Sequence, residues 1–435
     1  MSPLTRRQLL VGTATAAVGA AAARAAASSG TLAHSFVPTG QLPNPANSGL
    51  DHIVVLCMEN RSFDHYLGWL LGADGKQAGL HYADDKGKSH PTHHLTERQG
   101  CGFNDPDHSY KGGRVQLNHG KLNGFRKGDN DDFALGYYTR KDLPLYDKLV
   151  GQTTVFDRWF CSILGPTYPN RFYTHAARTD RIENSMTTST LTTIWDRLTA
   201  AGVSANYYYS DLPFLGLFGA GKASLVRPVD TWFAQAAAGQ LPQYSYLDPF
   251  FLGEGQGGSN DDHPHADILR GQAFVSQVTN ALANSPLWEK SALVITYDEW
   301  GGFFEHVLPP VLPDDAPKNG IDHRQSGFRV PSFVLSPFAR RGGIDHHTYD
   351  HTSILKLVEW RWGLKPLAPR DRAARNLAYA LDFQQPRKSV PALPTVIDPG
   401  PHICGSPGAG MAAEDPMWVE LRDKLRRDPV WRHHV

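Results

Sequence analysis

The chain has 435 residues with 43 basic and 43 acidic side chains, so its formal net charge is zero. That balance removes the concentrated basic field that nucleic-acid binding needs. A 41% hydrophobic content at this length suffices to bury a substantial core, and many of the 20 histidines sit beside Asp or Asn, which leans toward a metal or phosphate site.

The amino terminus reads as a targeting segment. Thr5-Arg6-Arg7-Gln8-Leu9-Leu10 is a twin-arginine pattern, followed by an Ala/Val/Gly stretch and small residues suited to cleavage. The stretch is too short to span a bilayer comfortably. Residues 1–27 are therefore expected to be a twin-arginine signal peptide. The mature protein would be periplasmic, associated with the cell envelope or secreted. Residues 28–48 are Ser/Pro/Gly/Asn-rich and predict a flexible lead-in, with a single domain over 49–435.

Residues 52–58 predict a strand that ends at Glu59-Asn60, and 62–67 are helix-compatible. Residues 72–135 are rich in Gly, His, Asp and Lys with little periodicity, which predicts long loops over a site. Helices are predicted over 143–150, 171–178, 188–201, 266–284, 353–361 and about 415–427. Strands are predicted over 154–156, 203–209, 292–297 and 329–336; that over 292–297 is uniformly apolar, as buried parallel strands are. Strands alternating with helices predict an α/β sandwich. Cys57, Cys101, Cys161 and Cys404 match no zinc pattern, and Cys57, inside the first strand, reads as a buried thiol.

Three clusters carry chemistry. Glu59-Asn60 and Asp298-Glu299 each follow an apolar strand, where open α/β sheets bind ligands. In Gly165-Pro166-Thr167-Tyr168-Pro169-Asn170-Arg171 a hydroxyl sits in a tight turn just ahead of a predicted helix. Together they offer three carboxylates, an amide oxygen and a hydroxyl, a hard-oxygen set suited to a divalent cation. A threonine hydroxyl is a poor nucleophile until a base or metal activates it, and groups such as His108, Asn118, His263 and His306 would absorb charge developing on a phosphoryl group. Each cluster also has a plainer reading: a helix cap at Glu59-Asn60, turn chemistry at Thr167, a solvated polar loop at His108 and His263. Asp298-Glu299 resists that treatment, because adjacent buried acids repel unless something positive lies near them.

Taken in order, Met58-Glu59-Asn60-Arg61-Ser62-Phe63-Asp64-His65, Asp107-His108-Ser109, Asn118-His119-Gly120, Gly165 to Arg171, Asp262-His263-Pro264, Tyr297-Asp298-Glu299-Trp300-Gly301-Gly302 and Asp350-His351-Thr352 resemble the motifs of the bacterial phosphoesterase family over residues 50–365. That family includes phospholipases C and respiratory-burst-inhibiting acid phosphatases. The resemblance implies an alkaline-phosphatase-like three-layer α/β/α sandwich with a central, mostly parallel sheet. It implies a divalent metal ion held by Glu59, Asn60, Thr167, Asp298 and Glu299, with Thr167 as nucleophile. His108, Asn118, His263 and His306 would line the phosphate pocket. Expected partners are a phosphoester substrate and, for a lipid, transient contact with a membrane surface.

Two departures bear on the activity. The Asp350-His351-Thr352 motif is followed by 83 residues, too few for the extra β-rich modules of the large phospholipases. His119 stands where a small residue is expected. Phospholipase C activity on phosphatidylcholine-type diesters leads, with aromatics such as Trp300, Phe303, Phe304, Tyr207, Tyr208 and Tyr209 offered as a choline cradle. Broad acid phosphatase activity on monoesters follows, then a catalytically inactive binding protein on the same fold. A sulfatase would need Cys or Ser where Thr167 stands.

Overall fold

The computed structural model describes residues 34–35, 41–315, 321–403 and 416–435. The twin-arginine segment and most of the lead-in lie outside these. One large sheet is built from β1 (His34–Ser35), β2 (His52–Met58), β3 (Thr154–Phe156), β4 (Ala205–Tyr209), β5 (Val226–Pro228), β6 (Tyr244–Leu247), β7 (Ser291–Tyr297), β8 (Ser332–Leu335) and β9 (Gly343–Asp345). Their order across the sheet is β1-β9-β3-β8-β7-β2-β6-β4-β5. Every pair is parallel except those of β8, which runs antiparallel to β7 and β3. The apolar runs of β2 and β7 lie side by side at the centre, Ile53 to Met58 opposite Ala292 to Tyr297, and both are buried.

The principal helices are α1 (Phe63–Leu67), α2 (Tyr110–Leu117), α3 (Pro144–Leu149), α4 (Thr167–Ala176), α5 (Ile194–Ala200), α6 (Val229–Ala238), α7 (Ile268–Ala283), α8 (Thr352–Trp362) and α9 (Pro416–Arg427). Successive residues of a strand point to opposite faces, and β4 shows where the helices go. Tyr207 packs edge-on to Trp195 of α5, whereas the hydroxyl of Tyr208 donates to Gln235 of α6. The α4 helix lies on the Tyr207 side, its Thr174 hydroxyl 3.2 Å from that of Tyr246, and α8 packs on α4. On the other side α7 contacts α6 and α3. The result is three layers, helices on both faces of a mostly parallel sheet.

Several elements differ from the sequence expectation. The α4 helix begins at Thr167, four residues early, because Pro166 is its N-cap and Pro169 falls in the first turn, where the missing N–H costs nothing. The α5 helix begins at Ile194, after a capping box made by Thr193 and Asp196. Strands β5, β6 and β9 and helix α6 were not anticipated. Neither was α2, inside the segment read as loops: its Gly112 and Gly113 weaken the helical signal, yet both are buried. A Cβ at Gly112 would strike the Asp107 carboxylate, and one at Gly113 would come within 2.8 Å of Leu164. Cys57 and Cys161 are buried free thiols, and Cys101 is disulfide-bonded.

The carboxyl-terminal helix is part of the core. Trp418 of α9 stacks on Phe251 with ring centroids 3.8 Å apart, and the Met417 carbonyl accepts a 2.8 Å bond from the Tyr168 hydroxyl. Replacing Trp418 with Ala should cost about 3–5 kcal/mol. Urea denaturation measures this, and an unshifted midpoint would show that α9 is dispensable to the fold.

Candidate active site

The site lies at the carboxyl ends of three adjacent strands. Met58 and Tyr297 are paired in register, so Glu59 and Asp298 leave β2 and β7 side by side, and Asp248 leaves β6 on the other flank of β2. All three carboxylates converge on one buried guanidinium. Arg171 donates from Nε at 2.8 Å to Glu59 Oε1, from Nη1 at 2.7 Å to Asp248 Oδ1, and lies 3.4 Å from Asp298 Oδ2. Phe251 and Trp418 cover its face, 4.8 and 5.7 Å from their ring centroids.

Arg171 fixes Thr167. Residues four apart share a helix face, so the first residue of α4 sits one turn above the guanidinium. The turn before it is tied by Asn170, whose Oδ1 accepts from the Ile163 N–H at 3.0 Å and whose Nδ2 donates to the Gly165 carbonyl at 2.8 Å. On the opposite side Asn60 takes a left-handed conformation at φ 51° and donates its N–H to Asp298 Oδ1 at 3.2 Å. Gly301, at φ 64°, allows this approach, because a Cβ there would collide with the Asn60 carbonyl. Gly302 does the same for Pro106, two residues before His108.

Five oxygens in this cluster are buried without a hydrogen-bond partner: Glu59 Oε2, Asn60 Oδ1, Thr167 Oγ1, Asp298 Oδ2 and Glu299 Oε1. A buried polar atom without a hydrogen bond costs about 1–3 kcal/mol. Ion-pair distances to Arg171 and His108 offset part of this for Asp298 Oδ2 and Glu299 Oε1, and the set as a whole calls for something to satisfy it. The same five residues carry the predicted ligand set, and carboxylate, amide and hydroxyl oxygens are the donors a hard divalent cation takes. By donor type the residues fit such an ion; among the described residues, the groups of His, Asp and Glu whose ligand atoms lie within 4.8 Å of one another are Asp105 with His108 and His263, and Asp64 with Glu305 and His306. Burial, reinforced by the Asp298 charge, pushes the Glu59 carboxyl well above its usual range, and burial likewise raises Glu299.

The histidines divide. His108 Nε2 lies 3.8 Å from Glu299 Oε1. Burial would lower its pKa, but the charges of Glu299 and Asp105 outweigh that and raise it. His263 stands edge-on to His108 at 5.9 Å between centroids, its Nδ1 held at 2.6 Å by the buried Glu254. A pocket of about 410 Å³ opens here, lined by Asp105, His108, Tyr110, Lys111, Pro166 and Asn184 among others.

The other two predicted pocket residues lie elsewhere. Both ring nitrogens of His306 are occupied by carboxylates, Nδ1 by Asp64 at 2.5 Å and Nε2 by Asp74 at 3.2 Å, which leaves no N–H for a phosphate. The Arg329 guanidinium, paired with Asp64 and Glu305, already supplies the cation of that cluster. Asn118 caps the end of α2 and spends its Nδ2 on Asn123 Oδ1 at 2.8 Å. The proposed choline cradle also fails: Trp300, Phe303, Phe304, Tyr207 and Tyr208 are fully buried in the core and Tyr209 nearly so.

Sequence reading missed Arg171, Asp248, Asp105 and Glu254. Arg171 stood in a quoted motif, four residues after Thr167, and that spacing was the available signal. Asp248 was invisible because β6 was. Arg171→Met should leave three buried carboxylates uncompensated and lower stability by about 3–5 kcal/mol. Chemical denaturation reads this, and wild-type stability in the variant would mean the guanidinium is not what holds the acids.

A family model described as the phosphoesterase family matches residues 50–365. The chain is 32% identical over 402 residues to Non-specific phospholipase C1 of Arabidopsis thaliana, covering 81% of this chain and 74% of that protein. It is 31% identical over 462 residues to Phospholipase C B of Mycobacterium tuberculosis, covering 88% and 86% respectively. A solved structure of an alkaline phosphatase superfamily protein from Vibrio parahaemolyticus aligns at TM-score 0.38 and 11% identity, over 79% of this chain and 75% of its own. With the matched segment running from the first central strand to the end of α8, the chain belongs to the phosphoesterase family and is a hydrolase of phosphoester bonds.

Proposed function

We propose that the protein is an exported, metal-dependent, phospholipase C-like enzyme that cleaves the phosphodiester of phosphatidylcholine-type lipids with Thr167 as nucleophile. The observation that carries this reading is the set of five buried oxygens without a hydrogen bond, Thr167 Oγ1 among them. A divalent cation held by Glu59, Asn60, Thr167, Asp298 and Glu299 would favour the ionised hydroxyl and polarise a phosphoryl oxygen.

The chain's own groups do the rest. Thr167 Oγ1 bonds to phosphorus as the bond from phosphorus to the diacylglycerol oxygen breaks, and that oxygen takes up a proton. Water then cleaves phospho-Thr167, releasing the phosphorylated head group and restoring the hydroxyl. The positive end of the dipole of the ten-residue α4 favours the anion. His108 offers its Nε2 side to the equatorial oxygens, and Glu254, which holds Nδ1 of His263, fixes that ring's orientation. Arg171 is a positioning residue: it keeps Glu59 and Asp298 in place and touches no substrate.

The Mycobacterium tuberculosis relative supports the diesterase over the monoesterase, since a protein called a phospholipase C is matched over 86% of its length. Turnover of p-nitrophenylphosphorylcholine and p-nitrophenyl phosphate, side by side and with and without chelator, tests the reading. The choline diester should be preferred, chelator should abolish turnover, and Thr167→Ala should lower kcat by roughly 10³-fold or more. Preference for the monoester would make the enzyme a phosphatase. Full activity in Thr167→Ala would sink the nucleophile assignment, and no turnover of either substrate in several metals would leave the binding-protein reading.

A further inference from the structure

The segment beyond Asp298-Glu299, Val307-Leu308-Pro309-Pro310-Val311-Leu312-Pro313, holds seven residues without a charged or hydrogen-bonding side chain. Its apolar side chains do not all turn inward: Leu308 is 54% and Val311 64% exposed. Three prolines stiffen the loop, and it is pinned from within, Gln325 donating to the Pro309 carbonyl at 3.2 Å and Ser326 to that of Pro310 at 2.7 Å. A loop held this way cannot fold its own apolar tip away from water.

The tip adjoins α2. Leu308 Cδ1 lies 3.6 Å from where a Cβ on Gly120 would stand, just beyond the end of that helix. Along α2, Lys111 and Val115 share one face four residues apart, with His119 following after the helix; all three are exposed, Val115 by 51%. Lys121 is exposed as well, and neither it nor Lys111 enters an ion pair among the described residues. The same helix borders the catalytic pocket, to which it contributes Tyr110 and Lys111, and Arg114 donates at 2.9 Å to the Leu164 carbonyl, three residues before Thr167.

Leu308 and Val311 on one loop, with Lys121 next to the Gly120 turn that Leu308 approaches and Val115 farther back along α2, make a surface that a lipid headgroup layer suits. The aliphatic tips enter the acyl boundary while the ammonium groups meet lipid phosphates. We propose that Val115, Leu308 and Val311, with Lys111 and Lys121 around them, form the face by which the protein docks on a phosphatidylcholine bilayer, so that a headgroup enters the pocket from the membrane side. This rests on the phospholipase reading above. Among the described residues no helix is long and apolar enough to cross a membrane.

The test uses the full chain and compares phosphatidylcholine vesicles with monodisperse p-nitrophenylphosphorylcholine. L308S/V311S should reduce vesicle partition by about 10-fold or more and lower lipid turnover in proportion, with turnover of the soluble diester unchanged. An environment-sensitive fluorophore on Leu308→Cys should shift its emission to the blue on adding vesicles, the free thiols Cys57 and Cys161 being buried. Partition unchanged in V115S/L308S/V311S overturns the docking face, as does equal loss on both substrates, which would tie the loop to the pocket instead. Wild-type protein that turns over the soluble diester but ignores vesicles also overturns it while leaving the phosphodiesterase reading intact. Failure on the soluble diester itself is the separate failure of that reading.

Discussion

A buried guanidinium shared by three strand-end carboxylates is the constraint around which this molecule is organised. A charge taken out of water is costly unless it is fully paired. Arg171 reaches Glu59, Asp248 and Asp298 from a single position. That position fixes α4 against the carboxyl edge of the sheet and sets how β2, β6 and β7 end beside one another. It also sets the depth of Thr167 one turn earlier, because a helix face is rigid over four residues.

The same device recurs around the site. Arg61 donates to the carbonyls of Asp262 and His263, Arg329 gathers Asp64 and Glu305, and Arg370 gathers Asp314 and Asp350. Each guanidinium is buried and each joins segments far apart in sequence. Long connections between a strand and the next helix are ordinarily mobile; here planar, always-charged groups with several donors hold them to the sheet. Charge pairing thus does for the loops what apolar packing does for the strands. His306 belongs to this scaffold, since the geometry that ties it to Asp64 and Asp74 removes it from any pocket.

Around the pocket the chemistry is graded. Oxygen donors without partners lie deepest, the paired histidines His108 and His263 stand above them, and the polar rim of α2 comes next. Leu308 and Val311 of the 307–313 loop stand exposed beyond the end of that helix. The large buried aromatics near the site serve the core, as their complete loss of exposure shows.

The sequence alone determined the central pair of strands, because uniform apolar runs of strand length have one economical use in an α/β protein. It also determined the five-oxygen cluster, because Glu59, Asn60, Asp298 and Glu299 sit where such strands end and Thr167 opens a motif rich in turn residues. The family was legible from the same motifs. Strand β6 was not: four residues with two tyrosines carry too weak a signal, and Asp248 went unseen with it. Helix α2 was hidden by Gly112 and Gly113, which low propensity marks as loop residues but close packing against Asp107 and Leu164 requires. Tertiary structure alone decided which charges meet. Nothing local assigns the contacts of His108 or His306, each of which follows an acid in sequence. One ends 3.8 Å from Glu299 and the other between two aspartates, because only the folded chain brings together groups distant in sequence.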